Sequence, residues 1–328
     1  MNKVKHATMR SFVFCALVAH QLAGCASEMT EPAEVGQLQQ DVRNLCPHPG
    51  VEMASFCQRW GQLPGGDVQL DIGDGHPVQL NYKLIGIANP TAYLEGDIIL
   101  GDLSSIEEGI EEDAKEGVAR ISRTGRWPGG HVAYAIDAGL PNPARVHDAI
   151  AHWEERTSLR FHEREAGEAD FLQFVDGGGC SSYVGRVGGM QPVTLNAGCT
   201  TGNAIHEIGH AIGLWHEQSR TDRDDYVSIN FGNIQAGYEH NFDTITDPGV
   251  ENGDVARYNF NSIMHYPATA FAVNPSIATI TVKPGITLQP GVVIGQRAGL
   301  SQGDVTAATL LYCDEEGFPC AVPVTPYL

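Results

Sequence analysis

Positive charge is scarce in this chain: 20 Lys and Arg stand against 40 Asp and Glu in 328 residues, a formal net charge of −20. The few basic residues are scattered, so no concentrated positive patch forms, which excludes nucleic acid and anionic membrane as charge-matched partners. Long apolar runs are lacking too. The stretch SFVFCALVA at residues 11–19 falls short of the ~20 residues that a permanent membrane helix needs. No Cys-x-x-Cys knuckle occurs, which argues against a structural zinc site of that kind. Internal repeats and low-complexity tracts are absent as well. What is present suits a globular protein, since 42% apolar residues can fill a core in one large domain with a smaller segment attached.

The N-terminus reads as an export signal: basic residues in MNKVKHATMR, the apolar run, then LAGC at Leu22–Cys25. LAGC resembles the lipobox of bacterial lipoproteins, where Cys25 would become the acylated first residue. An ordinary cut near Ala26 is the other reading, and His20 and Gln21 weaken the apolar core of the signal. Without Cys15 and Cys25, six cysteines remain (Cys46, Cys57, Cys180, Cys199, Cys313 and Cys320), an even number that suits disulfides in an oxidising compartment. The expected location is outside the cytoplasm, either in the cell envelope as a lipoprotein or secreted or periplasmic.

The composition divides the chain into a signal at 1–24, an acidic tether at 25–45, an accessory segment at 46–119, a main domain at 120–313 and a tail at 314–328. The accessory segment carries β-like runs, VQLNYKLIGI and YLEGDIIL, and ends in an exposed charged linker open to nicking near Arg120 or Arg123. In the main domain HVAYAI, LRFHERE and DFLQFV read as strands. NPARVHDAIAHWEERT is an amphipathic helix with Val146, Ile150 and Trp153 on one face. TTGNAIHEIGHAIGLW is helical, Thr221 to Tyr312 is mostly irregular, and SQGDVTAATLLY closes the domain as a short helix.

The chemistry concentrates in HEIGHAIGLWH, residues 206–216. His206 and His210 lie four apart, so on a helix both imidazoles face one ion. Glu207 is turned about 100° round the axis, where it can reach a water on that ion without becoming a ligand. A catalytic zinc site wants three protein ligands and one open position. His216 can be the third only if the helix stops, because a continued helix would carry it about 15 Å along the axis from His206. Gly213 allows the stop, since glycine adopts the left-handed conformation of a helix end cheaply. His-Glu-x-x-His alone arises by chance in roughly three per hundred such chains, and Gly213 with His216 lowers this by about two orders of magnitude.

HEIGHAIGLWHEQSRTDRDDYV closely resembles the zinc signature of the astacin family, within the metzincin metalloproteases, and SIMHY at 262–266 resembles that family's Met-turn. RWPGGHVAYAID, CSSYVGR, INFGNIQAGYEHNF and IGQRAGLSQGDVTAATLLYC extend the similarity from about Arg126 to Cys313. Leu214 departs conservatively from the usual aromatic. The resemblance implies an α+β fold of two subdomains, with a mixed twisted sheet and helices above a cleft and an irregular half below it. It implies one zinc ion on His206, His210 and His216, with Glu207 as general base and Met264 as an apolar floor. Tyr266 would be a further ligand at rest and a hydrogen-bond donor in the transition state, and Glu217 would help anchor the trimmed N-terminus. YLEGDIIL resembles the propeptide motif in which an aspartate, here Asp97, binds zinc and silences the zymogen; Leu94 replaces the usual Phe, and a Gly-Asp turn is the plainer alternative.

Cys180–Cys199 fits the family's second disulfide, a loop closure contributing about 3 kcal/mol. The first has lost a partner, because HWEERTSLRF contains no cysteine. Spacing then pairs Cys313 with Cys320 and Cys46 with Cys57. The implied activity is hydrolysis of internal peptide bonds of an extended polypeptide lying along an edge strand near Cys180–Tyr183. The enzyme is expected to be a monomer that meets a membrane only through a lipid on Cys25. Two other functions stay open: a zinc hydrolase of cell-wall peptide cross-links, and an inactive zinc-containing surface binding module.

Overall fold

The computed structural model describes residues 62–71, 77–85, 91–102, 125–244, 257–313 and 318–319. The signal, Cys25, the tether, Cys46, Cys57, Cys320 and the nicking linker lie outside the described residues. Among the described residues no helix is long and apolar enough to cross a membrane.

The accessory segment forms an antiparallel sheet of β1 (Gln62–Asp71), β2 (Pro77–Ile85), β3 (Thr91–Leu94) and β4 (Ile98–Asp102), in that order. VQLNYKLIGI thus yields a strand, and YLEGDIIL a hairpin whose turn is Glu95–Asp97.

The main domain opens with β5 (His131–Ile136), the helix α1 (Ala144–Arg156), β6 (Arg160–Glu163), β7 (Phe171–Val175), β8 (Cys180–Ser181) and β9 (Met190–Leu195). The sheet order is β6-β5-β7-β9-β8, parallel except for β8, which pairs antiparallel with β9 at one edge. Strands covered by helices must be apolar on both faces, and Val132, Leu172, Phe174, Val193 and Leu195 are all fully buried. α2 (Thr201–Ala211) packs on α1. Two indoles pin it by donating to its carbonyls, Trp153 Nε1 to Ile205 at 3.0 Å and Trp127 Nε1 to Ala211 at 2.9 Å. Arg145, 2% exposed, donates to the carbonyls of Pro141, Leu195, Asn196 and Cys199, and so fixes the loop that leads into α2.

Below α2 the described chain is mostly irregular, as expected, with short 3-10 turns and the ribbon of β10 (Val227–Ile229) and β11 (Ile280–Val282) before α3 (Gln302–Tyr312). A second apolar cluster, including Phe242, Tyr258, Tyr266 and Ile280, supports this half. Cys180 and Cys199 are joined by a disulfide. Cys313 is also disulfide-bonded.

Candidate metal centre

α2 begins at a capping box: Thr200 Oγ1 accepts from Asn203 N–H, and Asn203 Oδ1 accepts from Thr200 N–H. Such reciprocal bonds satisfy two donors that a helix start leaves open. The helix is shorter than TTGNAIHEIGHAIGLW suggests. It ends at Ala211, because Gly213 turns left-handed at φ 111° and Leu214 N–H closes back on Gly209 O at 2.9 Å. Leu214 and Trp215 therefore leave the helix, and His216 swings back under it.

All three histidines are at most 1% exposed. Each donates its Nδ1–H to a fixed acceptor: His206 to Ile263 O at 2.7 Å, His210 to Leu214 O at 2.8 Å, and His216 to the Glu95 carboxylate at 2.5 Å. That choice of tautomer frees every Nε2 for a ligand role. The Nε2 atoms of His206 and His216 are 3.3 Å apart. The Asp97 carboxylate faces all three, at 3.4 Å from His206 Nε2, 3.9 Å from His210 Nε2 and 3.3 Å from His216 Nε2. Four ligands placed tetrahedrally on zinc at about 2.0–2.1 Å would be about 3.3 Å apart.

The polar atoms also fit a bound cation. His210 Nε2, Asp97 Oδ1 and Glu207 Oε2 are buried with no hydrogen-bond partner in the protein, a costly state unless something else is bound there. Burial lowers His206 to about 4 and takes His210 well below its ordinary value, keeping both neutral as ligation requires. Burial pulls His216 the same way, but Asp97 and Glu95 outweigh it and raise it to about 9. Burial alone would raise Asp97, yet the imidazoles facing it hold it well below the usual carboxylate range. Two carboxylates around one imidazole favour positive charge at this point. Burial, then Asp97, pushes Glu207 well above the usual range.

The remaining sequence candidates fall around this cluster. Met264, 2% exposed, packs so closely under α2 that a Cβ on Gly209 would lie 2.6 Å from its sulfur. Tyr266 stacks at a tilt on His216, ring centroids 4.6 Å apart, and its hydroxyl donates to the Glu95 carbonyl. Glu217 accepts from Asn259 N–H at 2.7 Å, and burial raises it to about 8 despite Arg220 nearby. His265 is buried, with Nε2 accepting from the Tyr258 hydroxyl and Nδ1–H donating to Tyr266 O. Asp97 enters over the edge strand: its carbonyl accepts from Ser182 N–H at 3.0 Å, and Ile99 N–H donates to Ser182 O at 2.8 Å. The run near Cys180–Tyr183 expected to seat substrate is thus occupied by the accessory segment. Glu95 and Ser219 were not singled out from sequence, although the Leu-Glu-Gly-Asp run contains the one and HEIGHAIGLWHEQSRTDRDDYV the other.

Several curated proteins are similar to this chain. Zinc metalloproteinase nas-13 of Caenorhabditis elegans is 35% identical over 235 residues, 68% of this chain and 50% of that one. Blastula protease 10 of Paracentrotus lividus is 37% identical over 236 residues, 67% of this chain and 39% of that one. The chain therefore spans half or less of these curated relatives. Among solved structures, High choriolytic enzyme 1, a hatching-enzyme zinc protease from Oryzias latipes, is 34% identical with a TM-score of 0.51, and the match covers 57% of this chain and 92% of that one. The α+β arrangement of mixed sheet and helices is the one expected of a metzincin. Residues 119–313, more than half of the chain, match the model of the Astacin peptidase family, and the chain belongs to that family.

Proposed function

We propose that the chain is a zinc-dependent endopeptidase made in a latent form. His206, His210 and His216 hold the ion, and Asp97, from a prosegment spanning 46–119, occupies the remaining position until maturation. The supporting observation is the convergence of three Nε2 atoms and one carboxylate, all within 4.8 Å of one another, beneath an edge strand that can pair with an extended chain.

Zinc, when bound, supplies a nucleophilic water at neutral pH and polarises the scissile carbonyl. Glu207 takes the proton of that water and returns it to the leaving amine. Tyr266, whose hydroxyl the Glu95 carbonyl occupies in the latent chain, is released with the prosegment and donates to the developing oxyanion. Met264 supports the ligands from below, and Gly213 gives the reversal that brings His216 in. Glu217, a buried acid beside Arg220, suits an incoming N-terminal ammonium. Main-chain pairing along Cys180–Tyr183 gives affinity for a polypeptide, and side-chain pockets give selectivity. The curated relatives named above come from a nematode and a sea urchin, so a bacterial lipoprotein acylated at Cys25 is a reading of LAGC alone. Cys313–Cys320 and Cys46–Cys57 complete the proposed pairing.

Zinc content is measured on the purified chain, and the matured protein is incubated with denatured casein and, separately, with purified sacculi. One zinc per chain and internal cuts in casein are expected. Release from sacculi alone would favour the cell-wall hydrolase, and bound zinc with neither activity the binding module.

A further inference from the structure

The three histidines are oriented by unlike acceptors. His206 and His210 donate Nδ1–H to the neutral carbonyls of Ile263 and Leu214, both within the family domain. His216 donates instead to a carboxylate, Glu95 Oε2, from a residue 121 positions earlier in the accessory segment. The other oxygen of that carboxylate accepts from Ser219 Oγ at 2.5 Å. Glu95 is 1% exposed. It holds a left-handed φ of 53° beside Gly96 at 90°, so one tight turn sends Glu95 and Asp97 to opposite nitrogens of the same imidazole. Asp97 Oδ1 lies 3.3 Å from His216 Nε2, and Glu95 Oε2 lies 2.5 Å from its Nδ1.

We propose that Glu95 is a positioning residue of the metal centre and a second anchor of latency: it orients and strengthens the third ligand, so the latent chain holds its ion more tightly than the matured one. The proposal rests on the zinc-peptidase reading above. A carboxylate behind a ligating histidine fixes the ring and raises its basicity, and removal of such partners typically costs about 10–100-fold in metal affinity. Charge balance points the same way. A buried dication is costly unless matched, and this turn supplies two negative charges, Asp97 at the ion and Glu95 through His216. Because one three-residue turn carries both, maturation withdraws them together. Both negative charges would then leave the surroundings of the three imidazoles, and the ion would be held less tightly.

The test uses the full-length latent chain carrying Glu95→Gln, Glu95→Ala or Ser219→Ala. Zinc dissociation constants are read by chelator competition, basal cleavage with a quenched peptide, and ligand field from the visible absorption of the cobalt-substituted chain. Glu95→Gln keeps the shape and removes the charge; it should weaken zinc binding about tenfold and shift the cobalt bands. Glu95→Ala should weaken zinc further and raise basal cleavage, and Ser219→Ala should give a smaller change in the same direction. Wild-type zinc affinity and an unchanged cobalt spectrum in both Glu95 variants would overturn the proposal while leaving the zinc reading intact. A wild-type chain that binds no zinc would sink that reading and this proposal with it.

Discussion

The two halves of the main domain hold the same ion site by different physics. In the upper half, His206 and His210 come from a regular helix packed on α1 and on the β8–β9 edge of the five-stranded sheet, in an apolar core that includes Trp153, Leu172 and Phe174. Below it, His216, Met264 and Tyr266 sit on loops and single turns, beside an apolar cluster smaller than the upper core that includes Phe242, Tyr258 and Tyr266 itself. Buried and half-buried polar side chains tie these loops down. Arg223 donates to the carbonyls of Gln218 and Phe242, and Gln218 Oε1 accepts from Tyr266 N–H at 2.9 Å. Asp304 receives Ser262 Oγ–H and Ile263 N–H, while Arg297 donates to the carbonyls of Ile263 and His265. Charge-assisted bonds of this kind are strong enough to offset the entropy of ordering an irregular backbone. Ligands can thus be placed as firmly by hydrogen bonds to loops as by helical period.

Four measurements break or sharpen that contrast. The largest effect is expected in the upper half, where Glu207→Gln should cut turnover of the matured enzyme about 10²–10⁴-fold with zinc retained on elemental analysis; loss of zinc would make Glu207 a ligand. Stability compares the halves directly. Trp153→Ala should cost about 3–5 kcal/mol as a core cavity. Asp304→Ala should cost about 3 kcal/mol by orphaning Ile263 N–H and the Ser262 hydroxyl. Both are read from denaturant midpoints at fixed zinc, and a neutral Asp304 variant would show that apolar packing alone holds the lower half. Tyr266→Phe should lower kcat about 10²-fold with a smaller rise in KM, and an unchanged kcat would remove the hydroxyl from catalysis.

The smallest effect concerns pH. Burial holds His265 at about 4 instead of 6.5, and the neutral ring accepts from Tyr258 at Nε2 while donating Nδ1–H to Tyr266 O. The unfolded chain takes up this proton more readily than the folded one. The stabilisation is therefore complete above about pH 6.5 and is lost as the pH falls towards 4. Replacing His265 with Gln should flatten stability across that window; an unaltered slope would show that another group carries it.

Local pattern made much of the upper half readable. The alternation in HVAYAI, the spacing of Val146, Ile150 and Trp153, and the four-residue interval of His206 and His210 each reflect neighbours a few positions apart. β9 stayed hidden because Pro192 interrupts its strand signal, and β10 and β11 because three-residue strands carry no period. Arg145, Arg297 and Glu95 could not be found this way, since their partners lie far along the chain.

The chain's own order of residues determined that two imidazoles share a helical face, that a glycine ends that helix, and that a third imidazole waits six positions past the second. Period and backbone conformation are local properties, and a string of letters carries them. Only the folded chain decided what stands behind each imidazole: a carbonyl from the Met-turn, one from the helix end, and a carboxylate from a segment 121 residues away. Those partners depend on distances closed by packing, and no spacing in the sequence encodes them.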